Sequence, residues 1–569
     1  MDIAKIPFSY RGSYMAVSYC EENSWGFPHP AGLYLRTVSG SAPSPFVLRI
    51  QPLWDHRPAQ FQTSFDGKSL DLRLAQGTLT FCFADAQTIL CTGAGKEIGL
   101  RLDQISCPDS CNYVHRVIPD SASVVCINCY KNFTRHLVMC PSGTVEISQD
   151  WDREEAHDCQ VDVTAVSGSL TVFLREAYDT IDLEQPLVSV DQAWCKAEAS
   201  LAAFLPLAER LPKHYRKAAR TAAYVQWASL VEPRGNLRRE AMLMSKNWMT
   251  SVWAWDHCFN ALALCGVDDR LAWIQFMLPF EYQRQDGLIP DFVNDALCFF
   301  NCVKLPIHGW ALRRMMRYSE LSAQQLEQAY QKLSSWTRWW FTQRDQDGDG
   351  LCEYWHGNDS GWDNSTVFSR GPCVISPELN AFLVVQMDVL SELAIRLKKT
   401  DEAHDWSHRA ERTAEILEKA LFVNGIPTPL EAQTRTPIPQ QSLLPYLSLI
   451  AGYRLSPLCR EQMKKMLLSD AFLTPYGYAT EMCASPSFEE DGYWRGAVWA
   501  PVMCLLTDAL EENDAPVAAR HAAECFCTMA AEYGFAENYS ALTGRGLRDP
   551  AYTWAASVFL EFLKTYFTL

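Results

Sequence analysis

The chain has 569 residues, of which 48% are hydrophobic and 21% charged, and its formal net charge is −17. That length exceeds one ordinary core and points to two domains of a soluble globular protein. The acidic surplus excludes the basic footprint that nucleic acid or an anionic membrane demands, and no apolar run approaches the roughly 20 residues that span a bilayer.

The opening stretch MDIAKIPFSYRGSYM lacks the basic start, apolar core and small-residue cleavage site of a signal peptide. Residues 1–190 then read as an antiparallel β-sandwich, because short runs such as GLYLRTV, LDLRLAQGTLTFCF and SLTVFLREA alternate with Gly, Pro, Asp and Ser clusters. The 21 cysteines are scattered through apolar patterns, which suits small core thiols in a reducing compartment, the cytoplasm. A single C-x-x-C (Cys126, Cys129) has no second pair at zinc spacing and reads as a buried hairpin.

From residue 191 to 569 the apolar period becomes helical. Segments such as DQAWCKAEASLAAFL, LSAQQLEQAYQKLSSWTRWW and SPELNAFLVVQMDVLSELAIRL carry one apolar face each, and several start on a Ser, Thr or Asp cap. Helical hairpins joined alternately by short turns and long acidic or aromatic loops suggest a closed (α/α) toroid of six hairpins. No solenoid-type repeat is evident.

The longest such loop, residues 345–365 (DQDGDGLCEYWHGNDSGWDNS), mixes carboxylates with glycines and aromatics. Asp and Gly favour turns, so it packs as neither helix nor strand. Carboxylates beside stacking rings are what sugar chemistry needs: an acid protonates a glycosidic oxygen while indole and phenol rings cover the apolar face of a pyranose. Asp363 is the candidate acid, with an Asx turn as the plain structural alternative. Asp345, Asp347 and Asp349 resemble the first half of a calcium loop. Gly350 then sits at position 6 but Glu353 falls at position 9, where an EF-hand needs its bidentate Glu at 12. Calcium is a weak reading there, and no other metal or cofactor is expected.

Four ordered stretches carry a family resemblance: SVWAWDHCFNALAL (251–264), YQRQDGLIPDFV (282–293), GLCEYWHGNDSGWDNS (350–365) and ENYSALTGRGLRDPAYTW (537–554), the last preceded by YWRGAVWAP (493–501). Together they resemble glycoside hydrolase family 63 and its relatives, the family 37 trehalases among them, over residues 200–569. The resemblance implies an inverting enzyme on an α/α toroid, with the general acid at Asp363 and the general base at Glu537. Glu489 and Glu490 are rival bases, and a helix cap or surface ion pair is the structural alternative for Glu537. It further implies sugar contacts from Trp253, Trp255 and Asp256, from Gln285 and Asp286, from Tyr354 and Trp362, and from Tyr493, Trp494, Arg495 and Trp499. Core packing or turn formation is the alternative for each of these, and Trp554 reads as a packing residue.

The expected protein is therefore an inverting, exo-acting α-glucosidase on short oligosaccharides or glycosides. No stretch like the QWD-x-P-x-x-W segment of trehalases occurs. A sugar isomerase or epimerase on the same toroid, using His257, His308 or His356, is the rival from another reaction class. A binding protein that keeps the aromatic cleft without catalysis is a third.

Overall fold

The computed structural model describes residues 1–104, 112–118, 123–178, 180, 181, 183, 188–206 and 208–568. The chain divides into two compact units. One comprises Met1–Pro206, Ala223–Ser251 and Asn294–Leu297; the other comprises Leu207–Ala222, Val252–Val293 and Cys298–Leu569.

In the first unit, sixteen strands among the described residues join into one hydrogen-bonded sheet with antiparallel pairings throughout. Alternation places Leu70 and Leu72 of Ser69–Leu74 in the core, while Asp71 on the other face accepts a hydrogen bond from Thr80. The sheet folds back on itself. Phe8 of the first strand packs edge-on against Phe65, at the far end of the strand order, with ring centroids 5.6 Å apart. Cys126 and Cys129 are buried in the strand Val124–Cys129. Three residues apart, they fall on opposite faces, so they cannot chelate one ion within that strand. Helix α1 (Val190–Ala202) opens on a capping box between Ser189 and Gln192 and buries Ala193, Ala197 and Leu201, one turn apart. Ala193 packs among Cys82, Leu90, Cys126, Leu137 and Phe173, which places those thiols in the core.

The second unit is helical. Helix α2 (Lys213–Ser229) contributes its residues up to Ala222. There follow α3 (Asp256–Leu264), α4 (Asp269–Met277), α5 (His308–Tyr318), α6 (Ala323–Gln343), the single turn α7 (Gly357–Ser360), α8 (Pro377–Arg396) and α9 (Thr400–Leu421). A 3₁₀ helix (Leu444–Arg454), α10 (Pro457–Leu467), α11 (Ala500–Glu512), α12 (Pro516–Tyr533) and α13 (Thr553–Phe562) complete it. Helix α3 touches α5, α5 touches α8, α8 touches the 3₁₀ helix, that helix touches α11, α11 touches α13, and α13 returns to α3. This is the closed inner ring of an (α/α) toroid.

Composition separates the two rings. Inner α8 is buried nearly all round, down to Glu378, Asn380 and Gln386, whereas outer α9 buries one stripe of Ala403, Trp406, Ala410, Leu417 and Leu421. Each inner helix begins where a long loop arrives from the outer ring. The inner N-termini and these loops therefore share one end. Among the described residues no helix is long and apolar enough to cross a membrane.

A buried ion network ties the inner ring together. Arg314 of α5, 2% exposed, pairs with Asp508 of α11 and with Glu561 of α13, and Asp508 also accepts from Trp310 Nε1 at 2.6 Å. These partners hold the Asp508 carboxyl below its usual range despite burial. Arg314→Met strands two carboxylates in a dry core and should cost on the order of 3–5 kcal/mol, read as an earlier denaturant transition by helical circular dichroism. Because a depressed carboxyl contributes stability above its unfolded pKa, the difference between variant and parent should shrink as pH falls through the acid range.

Candidate active site

The site lies at the N-terminal ends of the inner helices. Asp256 is the first residue of α3, buried, and accepts from Tyr552 Oη at 3.3 Å, just ahead of α13. Burial lifts its carboxyl to about 7, opposed first by the charge of Lys304. Lys304 is itself buried. Its Nζ pairs with Asp291 at 2.9 Å and donates to the Asn358 carbonyl at 2.8 Å. Within α7, Asp359 is held by Arg344 at 2.7 Å and by the Val303 and Trp355 amides.

Asp363 follows α7 and faces a cavity of about 800 Å³, lined also by His356, Arg370, Ser487 and Arg495. Desolvation by the surrounding wall raises its carboxyl above the usual value; Lys304, His356 and the Tyr493 hydroxyl, which donates to it, pull the other way. Glu537, 4% exposed, sits in the loop between α12 and α13. Burial and the neighbouring Asp549 carboxylate lift it to about 8, with Arg548 opposing and Asp256 adding to the rise. Arg548 pairs with Asp491 at 2.7 Å and lies over the Tyr493 ring, 4.9 Å from its centroid.

Tyr493 is where these groups meet. Glu537, Asp363 and Asp256, in that order, are the charges that raise its phenol beyond the effect of burial. Its backbone is left-handed (φ 63°), a strained conformation for an aromatic residue. The conformation is held by Trp499 Nε1, which donates to the Tyr493 carbonyl at 3.1 Å.

The tryptophans sit differently from the sequence expectation. Trp255, Trp362, Trp494 and Trp499 are all buried. Trp494 is sandwiched between Trp499 (3.7 Å, 6°) and Trp362 (4.8 Å, 24°), and Trp255 and Trp554 close the cluster edge-on at 6.0 Å. Their faces pack on one another, so they form the floor that carries the carboxylates. Tyr354 is likewise fully buried, its hydroxyl directed at Glu378 of α8. Trp253 is half-buried against Phe292, and Arg495 pairs with Glu489 at 3.0 Å on the cavity wall.

Gln285 and Asp286 lie on an exposed turn. Asp286 caps its own turn by accepting from the Leu288 amide at 3.1 Å. In the acidic run, Arg435 bridges Asp347 and Asp349, and Gly350 N–H donates to Asp345, so a guanidinium already balances the cluster. Glu489 and Glu490 are engaged by Arg495 and by Ser540 and Thr543. Of the three histidines, only His356 lines the cavity; His257 and His308 are fully buried.

Sequence reasoning missed Lys304, Asp291, Tyr552 and Arg548. Lys304 and Asp291 carried a signal, each being a lone charge inside an apolar run (CVKLPI, LIPDFV), the pattern of a buried ion pair.

Comparison with known proteins agrees with this geometry. Residues 249–555 match the family model for the mannosylglycerate hydrolase MGH1-like glycoside hydrolase domain. A mannosylglycerate hydrolase of Thermus thermophilus is 24% identical over 395 residues, covering 54% of this chain and 93% of that protein. Mannosylglycerate hydrolase MGH1 of Selaginella moellendorffii is 22% identical over 392 residues, 55% of this chain and 80% of that one. Among solved structures, the GH63 mannosylglycerate hydrolase of Thermus thermophilus in complex with glucose superposes with a TM-score of 0.54 at 20% identity, over 60% of this chain and 99% of that chain. A bacterial glucoamylase complexed with acarbose gives a TM-score of 0.57 at 11% identity over 100% of this chain and 94% of that one. These likenesses show the fold, a β unit followed by an (α/α) toroid. The family match spans more than half of the sequence, and the chain belongs to the mannosylglycerate hydrolase MGH1-like glycoside hydrolases.

Proposed function

We propose that the protein is an inverting glycoside hydrolase acting on a terminal α-linked sugar, with Asp363 as general acid and Glu537 as general base. The observation that carries this reading is that Asp363, Glu537 and Asp256 all lie near enough to Tyr493 for their charges to raise its phenol. Inversion needs a protonated carboxyl at the leaving oxygen and an ionised one holding water on the opposite face of the sugar, roughly 6.5–9.5 Å away. Asp256, buried at the positive end of α3, is placed to accept sugar hydroxyls. The step uses two carboxyls and water, and no organic cofactor enters it. Free thiols at the described cysteines support the cytoplasm as its compartment.

The aglycone side supports a narrower reading. Beside Asp363 the cavity presents Arg370, Arg495 and His356, and Arg370 has no carboxylate partner among the described residues. The relatives are named for mannosylglycerate, whose glycerate carries a carboxylate. We therefore place an anionic aglycone against Arg370, with an uncharged α-glucoside as the second substrate class.

Asp363→Asn and Glu537→Gln should each lower kcat by roughly 10²–10⁴-fold with the fold intact. The first-formed product from an α-linked substrate should be the β-anomer by NMR, and an α-anomer would contradict inversion. Arg370→Met should raise KM for a glycoside of glycerate by roughly tenfold or more, the weight of a charge-assisted hydrogen bond, while leaving a neutral α-disaccharide unaffected. Equal effects on both substrates would remove the anionic-aglycone reading.

The pH dependence follows from both carboxyls. Turnover requires Asp363 protonated and Glu537 ionised. Where the base holds its proton more tightly than the acid, the two occupancies change in opposite senses between the two pKa values, and the profile is level there. Above the higher value only the loss of protonated acid remains. The kcat/KM profile should thus fall on the alkaline side beyond pH about 8. Activity that keeps climbing well past that point would show that Glu537 does not titrate in the free enzyme as its surroundings dictate.

A further inference from the structure

The first turns of α3 and α5 gather metal-ligating side chains that the carboxylate cluster does not use. His257, Cys258 and His308 are fully buried, and one donor atom from each lies within 4.8 Å of the others. Cys258 Sγ is 3.6 Å from His257 Nε2, while His257 Nδ1 is engaged by the Trp253 carbonyl at 3.1 Å. The two imidazole rings stand 5.3 Å apart, centroid to centroid. His308 completes no hydrogen bond of good geometry among the described residues, although the Ala254 backbone approaches one ring nitrogen.

Three features resist a purely structural account. Consecutive residues on a helix do not normally face one another, yet His257 and Cys258 converge. A thiol-to-imidazole hydrogen bond would satisfy those two and still leave His308 with no more than a poorly aligned approach to the Ala254 backbone in a dry core, which folded proteins rarely tolerate. The spacings also have a simple origin. With metal–nitrogen bonds of about 2.0–2.1 Å, a metal–sulfur bond of about 2.3 Å and tetrahedral angles, a ligating sulfur and nitrogen lie roughly 3.6 Å apart, and two ligating imidazoles have centroids roughly 5 Å apart. A carbonyl on the far nitrogen of a ligating histidine is the usual second partner that fixes its tautomer.

We propose that His257 Nε2, Cys258 Sγ and a ring nitrogen of His308 form a buried structural zinc site that clamps the first turn of α3 to that of α5. On binding, Zn²⁺ displaces the thiol proton to solvent and a zinc–thiolate bond replaces the S–H bond, leaving one net positive charge. Asp256, immediately before the ligands, carries the neighbouring carboxylate. The site holds α3, and with it Asp256, in place without touching substrate.

Full-length protein produced in zinc-supplemented medium and dialysed should retain about one zinc per chain by elemental analysis. Cobalt loaded in its place should show a thiolate-to-cobalt charge-transfer band in the near ultraviolet. Cys258→Ser should abolish that band and His308→Asn should lower the zinc content, both with helical circular dichroism preserved. Binding at the Asp345 cluster, which offers oxygens alone, would give zinc without the band and would overturn the assignment. Wild-type protein free of zinc after production or refolding in its presence would also overturn it, as would undiminished zinc in Cys258→Ser.

Discussion

The site depends on indole packing. Every functional group in the carboxylate cluster is tied to a buried tryptophan: Asp256 follows Trp255, Asp363 follows Trp362, and Tyr493 precedes Trp494 while its carbonyl accepts from Trp499. The Glu537 carbonyl accepts from Trp554 Nε1 at 2.9 Å. The five rings form one cluster, with Trp494 at its centre. Loops carry unsatisfied backbone and are poor platforms unless something fixes them. Here loops arriving from four directions are fixed by rings that each bury on the order of 150–250 Å² and prefer defined stacking geometries. Each carboxylate therefore inherits its position from an aromatic neighbour, an arrangement that holds reacting groups to the tolerance acid–base chemistry demands.

This explains which parts of the site could be read from sequence. The motif order around WAWD, SGWD, YWRG and ENY placed Asp256, Asp363, Tyr493 and Glu537 in separate loops, and the structure gathers them at one end of the ring. The same motifs suggested sugar-stacking surfaces for their tryptophans, because composition cannot distinguish an indole facing a ligand from one facing another indole. Tyr354 illustrates the same ambiguity: in a loop full of carboxylates it looked like a cleft residue, yet it turns inward to Glu378 across a bridge to Val374. Gln285 and Asp286 had the local chemistry of a turn and make one. The helical period revealed the toroid because inner and outer helices differ in how much of their circumference is apolar. The β unit was legible from alternation, though not its strand order, which depends on pairings distant in sequence such as Ser169–Glu176 with Thr88–Gly95.

Charge balance within the ring gives the cluster its chemical character. At the loop end, Asp256, Asp291, Glu537 and Asp549 are met by Lys304, shared with Asp291, and by Arg548, shared with Asp491, while Arg370, Arg495 and His356 line the cavity beside Asp363. Desolvation outweighs what these cations offset, so Asp256, Asp291, Asp363 and Glu537 rise. Inside the ring, Arg314 meets Asp508 and Glu561 with added donors from Trp310 and Arg317, and Asp508 is depressed. One toroid thus contains a saturated network that stabilises and an undersaturated one that keeps protons available. The difference lies in donors per carboxylate, since Asp508 and Asp256 are both fully enclosed.

That undersaturation bears on how the proposed reaction would favour its transition state. Before substrate arrives, Glu537 at about 8 and Asp363 above its ordinary value share a deficit of positive charge. On the proposed mechanism, an oxocarbenium-like transition state would bring positive charge between them. Its positive centre would offset the desolvation that raises both carboxyls, a gain that a neutral ground-state sugar cannot provide. Binding energy is then weighted toward the transition state, which is the condition for raising kcat. Adding a fixed cation to this cluster would lower both carboxyls and stabilise the resting enzyme, but it would also remove the charge deficit that the reaction fills. On the proposed mechanism, carboxyls desolvated beyond what their neighbouring cations offset are the electrostatic basis of the chemistry.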